Sequence, residues 1–151
     1  MNLTEKPEIV TLPETHYVYI EKIGPFEDTA PHAWGDLHNL VPAISEQNAV
    51  TGYMSLYKVE PQIYRAGVSL AEPPKKLPQA LAGTKFKGGT YSRFVLRGPY
   101  SDLPEACGRV FEIVSKENIP VREDFCIERY VTDPRTTPEN ESITEILIPT
   151  A

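Results

Sequence analysis

The sequence has 151 residues, about one domain's worth, and at 40% hydrophobic and 24% charged it reads as an ordinary soluble globular chain. Its 21 acids against 15 bases leave a net charge of −6, which excludes a general binder of nucleic acid or of anionic membrane surface. Two cysteines without CxxC spacing, Cys107 and Cys126, fit a cytoplasmic chain with reduced thiols, in which the Asn140-Glu141-Ser142 sequon goes unused.

The elements follow in chain order. Met1–Pro7 has no basic stretch leading into an apolar run, so no secretory leader is expected. A short leader over Glu8–Leu12 is predicted as an edge strand. Residues 16–23, rich in Tyr, Val and Ile, predict a strand that stops at Gly24-Pro25-Phe26. A helix follows, with Thr29 as a candidate cap and Pro31 in its first turn. Its apolar stripe is Ala30, Ala33, Trp34, Leu37, Leu40, Val41 and Ile44, and Pro42 is expected to end or kink it. Strands over about 53–59 and 63–70 meet at Glu60-Pro61, and a Pro-rich connector fills 71–83. A second leader near 84–88 precedes a strand over 90–97, which stops at Gly98-Pro99-Tyr100. Ser101 or Asp102 can cap a second helix, with Pro104 in its first turn and a stripe of Leu103, Ala106, Cys107, Val110, Ile113 and Val114. Strands over about 125–132 and 142–149 close the chain around a loop through Asp133-Pro134-Arg135-Thr136-Thr137-Pro138.

The two halves read alike. Tyr17 through Phe26 aligns with Tyr91 through Tyr100 at an offset of 74 residues. After a one-residue deletion, Pro31, Ala33, Gly35, Val41 and Tyr57 face Pro104, Ala106, Gly108, Val114 and Tyr130. The chain is therefore predicted to be one α+β domain, 1–151, made of a duplicated βαββ unit with pseudo-repeats at about 7–70 and 84–150. Its sheet should be curved and mainly antiparallel, with two helices on one face.

The repeats differ where chemistry is expected. Alternation puts Cys126, Glu128 and Tyr130 on one face, against Tyr53, Ser55 and Tyr57 in the first half, so Ser55 becomes Glu128. A lone carboxylate among rings suits a flat cationic ligand, with rings for the body and the acid for the charge. The plain alternative is a solvent-facing glutamate or an Arg partner. Trp34 and, one turn on, His38 (matched by Phe111 on the second helix) are candidate cleft walls; the plain readings are a core filler and an exposed histidine. Tyr53, Tyr57 and Tyr130 are candidate phenol donors or ordinary sheet packing. Cys126 reads as a small buried residue and Glu145 as a surface acid. No HExxH, GxSxG, GxGxxG or His pair at i,i+4 occurs, so no metal or cofactor is expected. No apolar run reaches membrane-spanning length.

The stretch Cys126-Ile-Glu128-Arg-Tyr130-Val-Thr-Asp133-Pro134, running on to Thr144-Glu145-Ile146-Leu-Ile148-Pro149, resembles the closing signature of GyrI-like (gyrase-inhibitor-like) small-molecule-binding domains. The Gly-Pro-aromatic turns are similar too, and the resemblance spans about residues 7–150. It implies the fold of the effector-binding domains of AraC-type and MerR-type regulators, with a ligand cleft between the helices floored by the sheet. Glu128 would be its central polar group. Ligand-lining residues are then Glu128, Tyr130, Tyr57, Tyr53, Trp34, Phe111 and His38. The expected partner is a hydrophobic or cationic, drug-like small molecule. Direct DNA binding is not expected, because seven residues ahead of the first strands leave no room for a helix-turn-helix, although a partner protein could read out binding. The same resemblance implies an alternative, a hydrolase opening strained electrophilic rings with Glu128 as general base and Tyr57 or Tyr130 as acid. A weaker one follows from similarity to SOUL-type haem domains.

Overall fold

A computed structural model describes all 151 residues. In chain order the elements are β1 (Asn2–Leu3), β2 (Glu8–Leu12), β3 (Thr15–Ile23), α1 (Phe26–Gln47), β4 (Val50–Lys58), β5 (Ile63–Leu70), β6 (Ala82–Phe86), β7 (Gly89–Arg97), α2 (Leu103–Lys116), β8 (Cys126–Tyr130) and β9 (Ile143–Pro149). The fold is α+β, the strand pairs within each unit are antiparallel, and no helix is long and apolar enough to cross a membrane. The chain forms two compact units. The central unit is Pro13–Gly88; the terminal unit joins Met1–Leu12 to Gly89–Ala151.

In the central unit β3 pairs with β5 on one side and β6 on the other, and β4 pairs with β5. Helix α1 packs on β3 and β5 through Ala33, Leu37 and Ile44, each fully buried. Tyr17 lies against Gly67, where any Cβ would collide with the ring, and its hydroxyl donates to the Met54 carbonyl at 2.8 Å. In the terminal unit β7 pairs with β9, β9 with β8, and both β1 and β2 with β7. Ala106, Val110, Ile113 and Val114 form the buried stripe of α2, as the periodicity predicts.

The leaders depart from the expected repeat boundaries. β2 precedes the first half yet pairs with β7, and β6 precedes the second half yet pairs with β3. Each half's first strand is thus flanked by the leader of the other half. Local patterning marks both leaders as strands but carries no information on which strand they join.

The repeated Gly-Pro turn has a backbone cause. Gly24 and Gly98 sit at φ +132° and +146°, where a Cβ is strained. Each starts a helix, but not alike. The sequence puts Pro31 in a first helical turn, whereas α1 begins at Phe26 behind an N-cap Pro25. Thr29 lies inside the helix and donates to the Pro25 carbonyl at 3.1 Å instead of capping. Pro42 does not end α1 either, which runs on to Gln47. Pro42 and His38 four residues before it are both exposed, so water reaches the carbonyl that proline leaves without a helical donor. Helix α2 keeps the expected positions, with Asp102 at the N-cap and Pro104 in the first turn, but the Asp102 side chain makes no capping hydrogen bond.

Candidate functional site

Strand β8 positions the carboxylate. Register pairs Glu128 with Ile146 and Tyr130 with Thr144, so these four side chains share one face of the terminal unit's sheet. Helix α2 lies over that face, because Cys107 on its inner side touches Glu128. The Cys107 thiol donates to Glu128 Oε1 at 3.4 Å, and the Tyr130 hydroxyl donates to Oε2 at 3.0 Å. Each carboxylate oxygen is held by one neutral group, so neither partner cancels its charge. Burial pushes the Glu128 carboxyl above the usual carboxylate range, opposed by these two hydrogen bonds. Tyr100, on the short 3-10 turn before α2, sets its ring edge-on to Tyr130 at 5.8 Å. Thr144 is 0% exposed and its hydroxyl has no hydrogen-bond partner.

The neighbouring thiol behaves as the sequence suggests. Cys126 is buried, and burial, with Asp124 and Glu128 nearby, pushes it up to about 12. A group so held stays a thiol and is inert.

The opposite face of β8 corrects one expectation. Glu145 is not a surface acid: it is 7% exposed and clamped by two arginines. Arg129 donates to its Oε1 at 2.5 Å and Arg93 to its Oε2 at 2.8 Å. Arg93 also reaches Glu8 on β2 at 3.0 Å, tying that strand to the sheet. Glu128 and Glu145 are therefore opposites: one is held by neutral donors, the other is neutralised by guanidinium groups.

The central unit carries a ring cluster of its own. Trp34 and His38, one turn apart on α1, set their rings 5.6 Å apart. Tyr53 on β4 lies 6.4 Å from Trp34 and 6.2 Å from His38. Trp34 Nε1 donates to the Tyr64 hydroxyl at 2.7 Å, which orients the indole. His38 is exposed, whereas Trp34 and Tyr53 are half-buried. Tyr57 is 4% exposed and packs edge-on against Phe26 at 5.7 Å.

The sequence profile of the GyrI-like small molecule binding domain matches residues 5–151, nearly the whole chain. The chain belongs to this family. Solved structures also match the chain, and at these identities they show the fold alone. The EcmrR C-terminal domain superposes with a TM-score of 0.80 at 16% identity, covering 97% of both chains. SAV2435 bound to tetraphenylphosphonium gives 0.78 at 12% identity, covering 97% of this chain and 94% of that one. A hydrolase from Listeria innocua gives 0.65 at 12% identity, covering 97% and 92%. No curated protein matches the sequence.

Of the residues the sequence singles out in this GyrI-like chain, the terminal unit brings Glu128 and Tyr130 into contact, with Phe111 half-buried one turn beyond Cys107 on α2. The central unit brings Trp34, His38 and Tyr53 together. Sequence reasoning gives Cys107 only a place on the apolar stripe, and overlooks Tyr100 and Thr144. The repeat held a usable signal: Cys107 occupies the position of Trp34, and Tyr100 that of Phe26. For Thr144 the sequence holds no signal, since an alternating strand threonine is unremarkable.

Proposed function

We propose that the chain binds cationic, aromatic, drug-like small molecules, with Glu128 reading their charge. The observation that carries this is a half-buried carboxylate whose two holders, a phenol and a thiol, are both neutral, and whose carboxyl burial pushes upward. A cation within reach of such a group gains far more than it would in water. Tyr130, Tyr100 and Phe111 supply apolar surface in the terminal unit. Trp34, His38 and Tyr53 offer stacking rings in the central unit, and Tyr57 backs Phe26. The neighbour SAV2435, solved with a lipophilic cation bound, supports the ligand class by analogy of fold.

Calorimetry with tetraphenylphosphonium and with neutral triphenylphosphine oxide tests the reading. Glu128→Gln should weaken the cation by about 10-fold or more, roughly 1.4 kcal/mol, and leave the neutral compound nearly unchanged. Equal losses for the two compounds would overturn charge reading.

The Glu128–Tyr130 hydrogen bond also favours a second reading, as a hydrolase. A carboxylate raised by burial is a better base toward water, and the phenol beside it can protonate a leaving oxygen. The fold neighbour described as a hydrolase is consistent with this. Incubation with an aryl epoxide should then yield diol faster than buffer does, and Glu128→Gln should abolish the excess. A rate equal to buffer removes that substrate class.

A further inference from the structure

The thiol that touches Glu128 has a reactivity of its own besides holding the acid. Cys107 and Cys126 are a contrasted pair: the first is half-buried on α2 with its S–H on a carboxylate, the second is buried in β8. A thiol becomes a nucleophile as its proton leaves, and an adjacent base provides for that. Glu128 Oε1 is such a base, at 3.4 Å. On the same sheet face, Thr144 is fully buried and its hydroxyl has no partner, leaving a donor for an acceptor atom brought against Tyr130.

We infer that the Glu128 site captures α,β-unsaturated carbonyl compounds as thioethers on Cys107. This rests on the reading of Glu128 as the charge-reading group of a ligand site. The step balances without a co-reactant. The Cys107 proton passes to Glu128, and the sulfur pair forms a bond to the β-carbon. The π pair of the C=C bond moves to give an enolate, whose oxygen takes a hydrogen bond from Thr144. The α-carbon then takes the proton from Glu128, which returns to carboxylate. Nothing leaves, and S–H has added across C=C. Cys126, held up to about 12 by burial, does not take part and serves as the internal control.

The test uses the full chain at neutral pH with two probes, N-ethylmaleimide and a maleimide bearing a trimethylammonium group, read by intact mass and peptide mapping. One addition is expected, on Cys107, and none on Cys107→Ser. The cationic probe should react at least about 10-fold faster than the neutral one after correction for their rates with N-acetylcysteine. Glu128→Gln should erase that preference and slow the reaction. The capture is overturned if Cys107 stays unmodified, if it shows no corrected preference, or if Glu128→Gln reacts as fast as wild type. Tetraphenylphosphonium is titrated into wild type in parallel. Should it bind while Cys107 stays unmodified, capture fails and the binding reading stands. Should it not bind and the cationic probe gain no preference, both fail.

Discussion

Cys107 and Trp34 hold the same place in the two repeats, yet one touches a carboxylate and the other a phenol. The thiol donates to Glu128 at 3.4 Å, and the indole donates to Tyr64 at 2.7 Å. Each helix thus presents one side-chain donor to the strands at this position. Where the indole is replaced by a thiol, Ser55 has given way to Glu128.

That acid should make stability and cation binding run in opposite directions with pH. Burial raises the Glu128 carboxyl in the folded chain above its unfolded value of about 4.3. The fold therefore keeps a proton that the unfolded chain has already lost. The contribution is full below the unfolded value and is lost as pH rises through the folded one. Glu128→Gln should melt higher than wild type at pH 8, by about 2–4 °C for each kcal/mol of relief, and the gap should close toward pH 4. Wild-type affinity for tetraphenylphosphonium should fall over the same descent in pH, while that of the variant stays level. Thermal scans and calorimetry across pH 4–8 check both.

Glu145 should behave as a structural carboxylate. Removing it strands Arg129 and leaves Arg93 only its exposed partner Glu8, and breaking a buried pair costs about 3–5 kcal/mol. The two arginines are 28% and 38% exposed, so Glu145→Ala should lose roughly 2–3 kcal/mol after that allowance for solvent. Glu8→Gln, at the exposed end of the same network, should lose less than about 1 kcal/mol. Urea unfolding of the two variants gives the comparison.

Two glycines should respond with opposite signs to alanine. At Gly67 a Cβ would strike the Tyr17 ring, which is fully buried and hydrogen-bonded to Met54, so Gly67→Ala should cost about 2–3 kcal/mol. Gly35 lies inside α1 with nothing near its missing Cβ, so Gly35→Ala should gain roughly 0.5–1 kcal/mol. Equilibrium unfolding midpoints decide both.

Trp34, the single tryptophan, reports on the central unit. Stacking of an aromatic ligand on the Trp34–His38–Tyr53 rings should quench its emission on titration, and Tyr53→Ala should weaken that ligand by several-fold. An unchanged spectrum at saturation, defined by calorimetry, would remove these rings from the binding surface.

Local chemistry made much of this fold legible. Alternation and Gly-Pro punctuation give β5 its bounds at Ile63–Leu70 and place Gly24 and Gly98 at the helix starts. Apolar spacing gives the buried stripe of α2. Pairing choices are different in kind. Nothing in Glu8–Leu12 says that it joins β7, because the ladder is made of backbone groups common to every residue. The sequence misplaces Glu145 for a related reason: its partners Arg93 and Arg129 lie 52 and 16 residues away and meet it only through register. Glu128 is legible as a place on the ring-bearing strand face where the repeats trade a hydroxyl for an acid, whereas its contact with Cys107 needs helix and strand to be docked first.

The crossed leaders carry a further implication. A peptide holding only 13–88, or only 89–151, would hold no more than one of the two borrowed edges, since β6 stays with β3 but β2 is lost from β7. Cutting the chain after Leu12 should thus leave the second fragment with an open, aggregation-prone border, and adding the peptide 1–12 back in trans should close it. In this molecule the first twelve residues act as a strap for the far end of the polypeptide, so a tag or fusion placed there bears on the half that is made last.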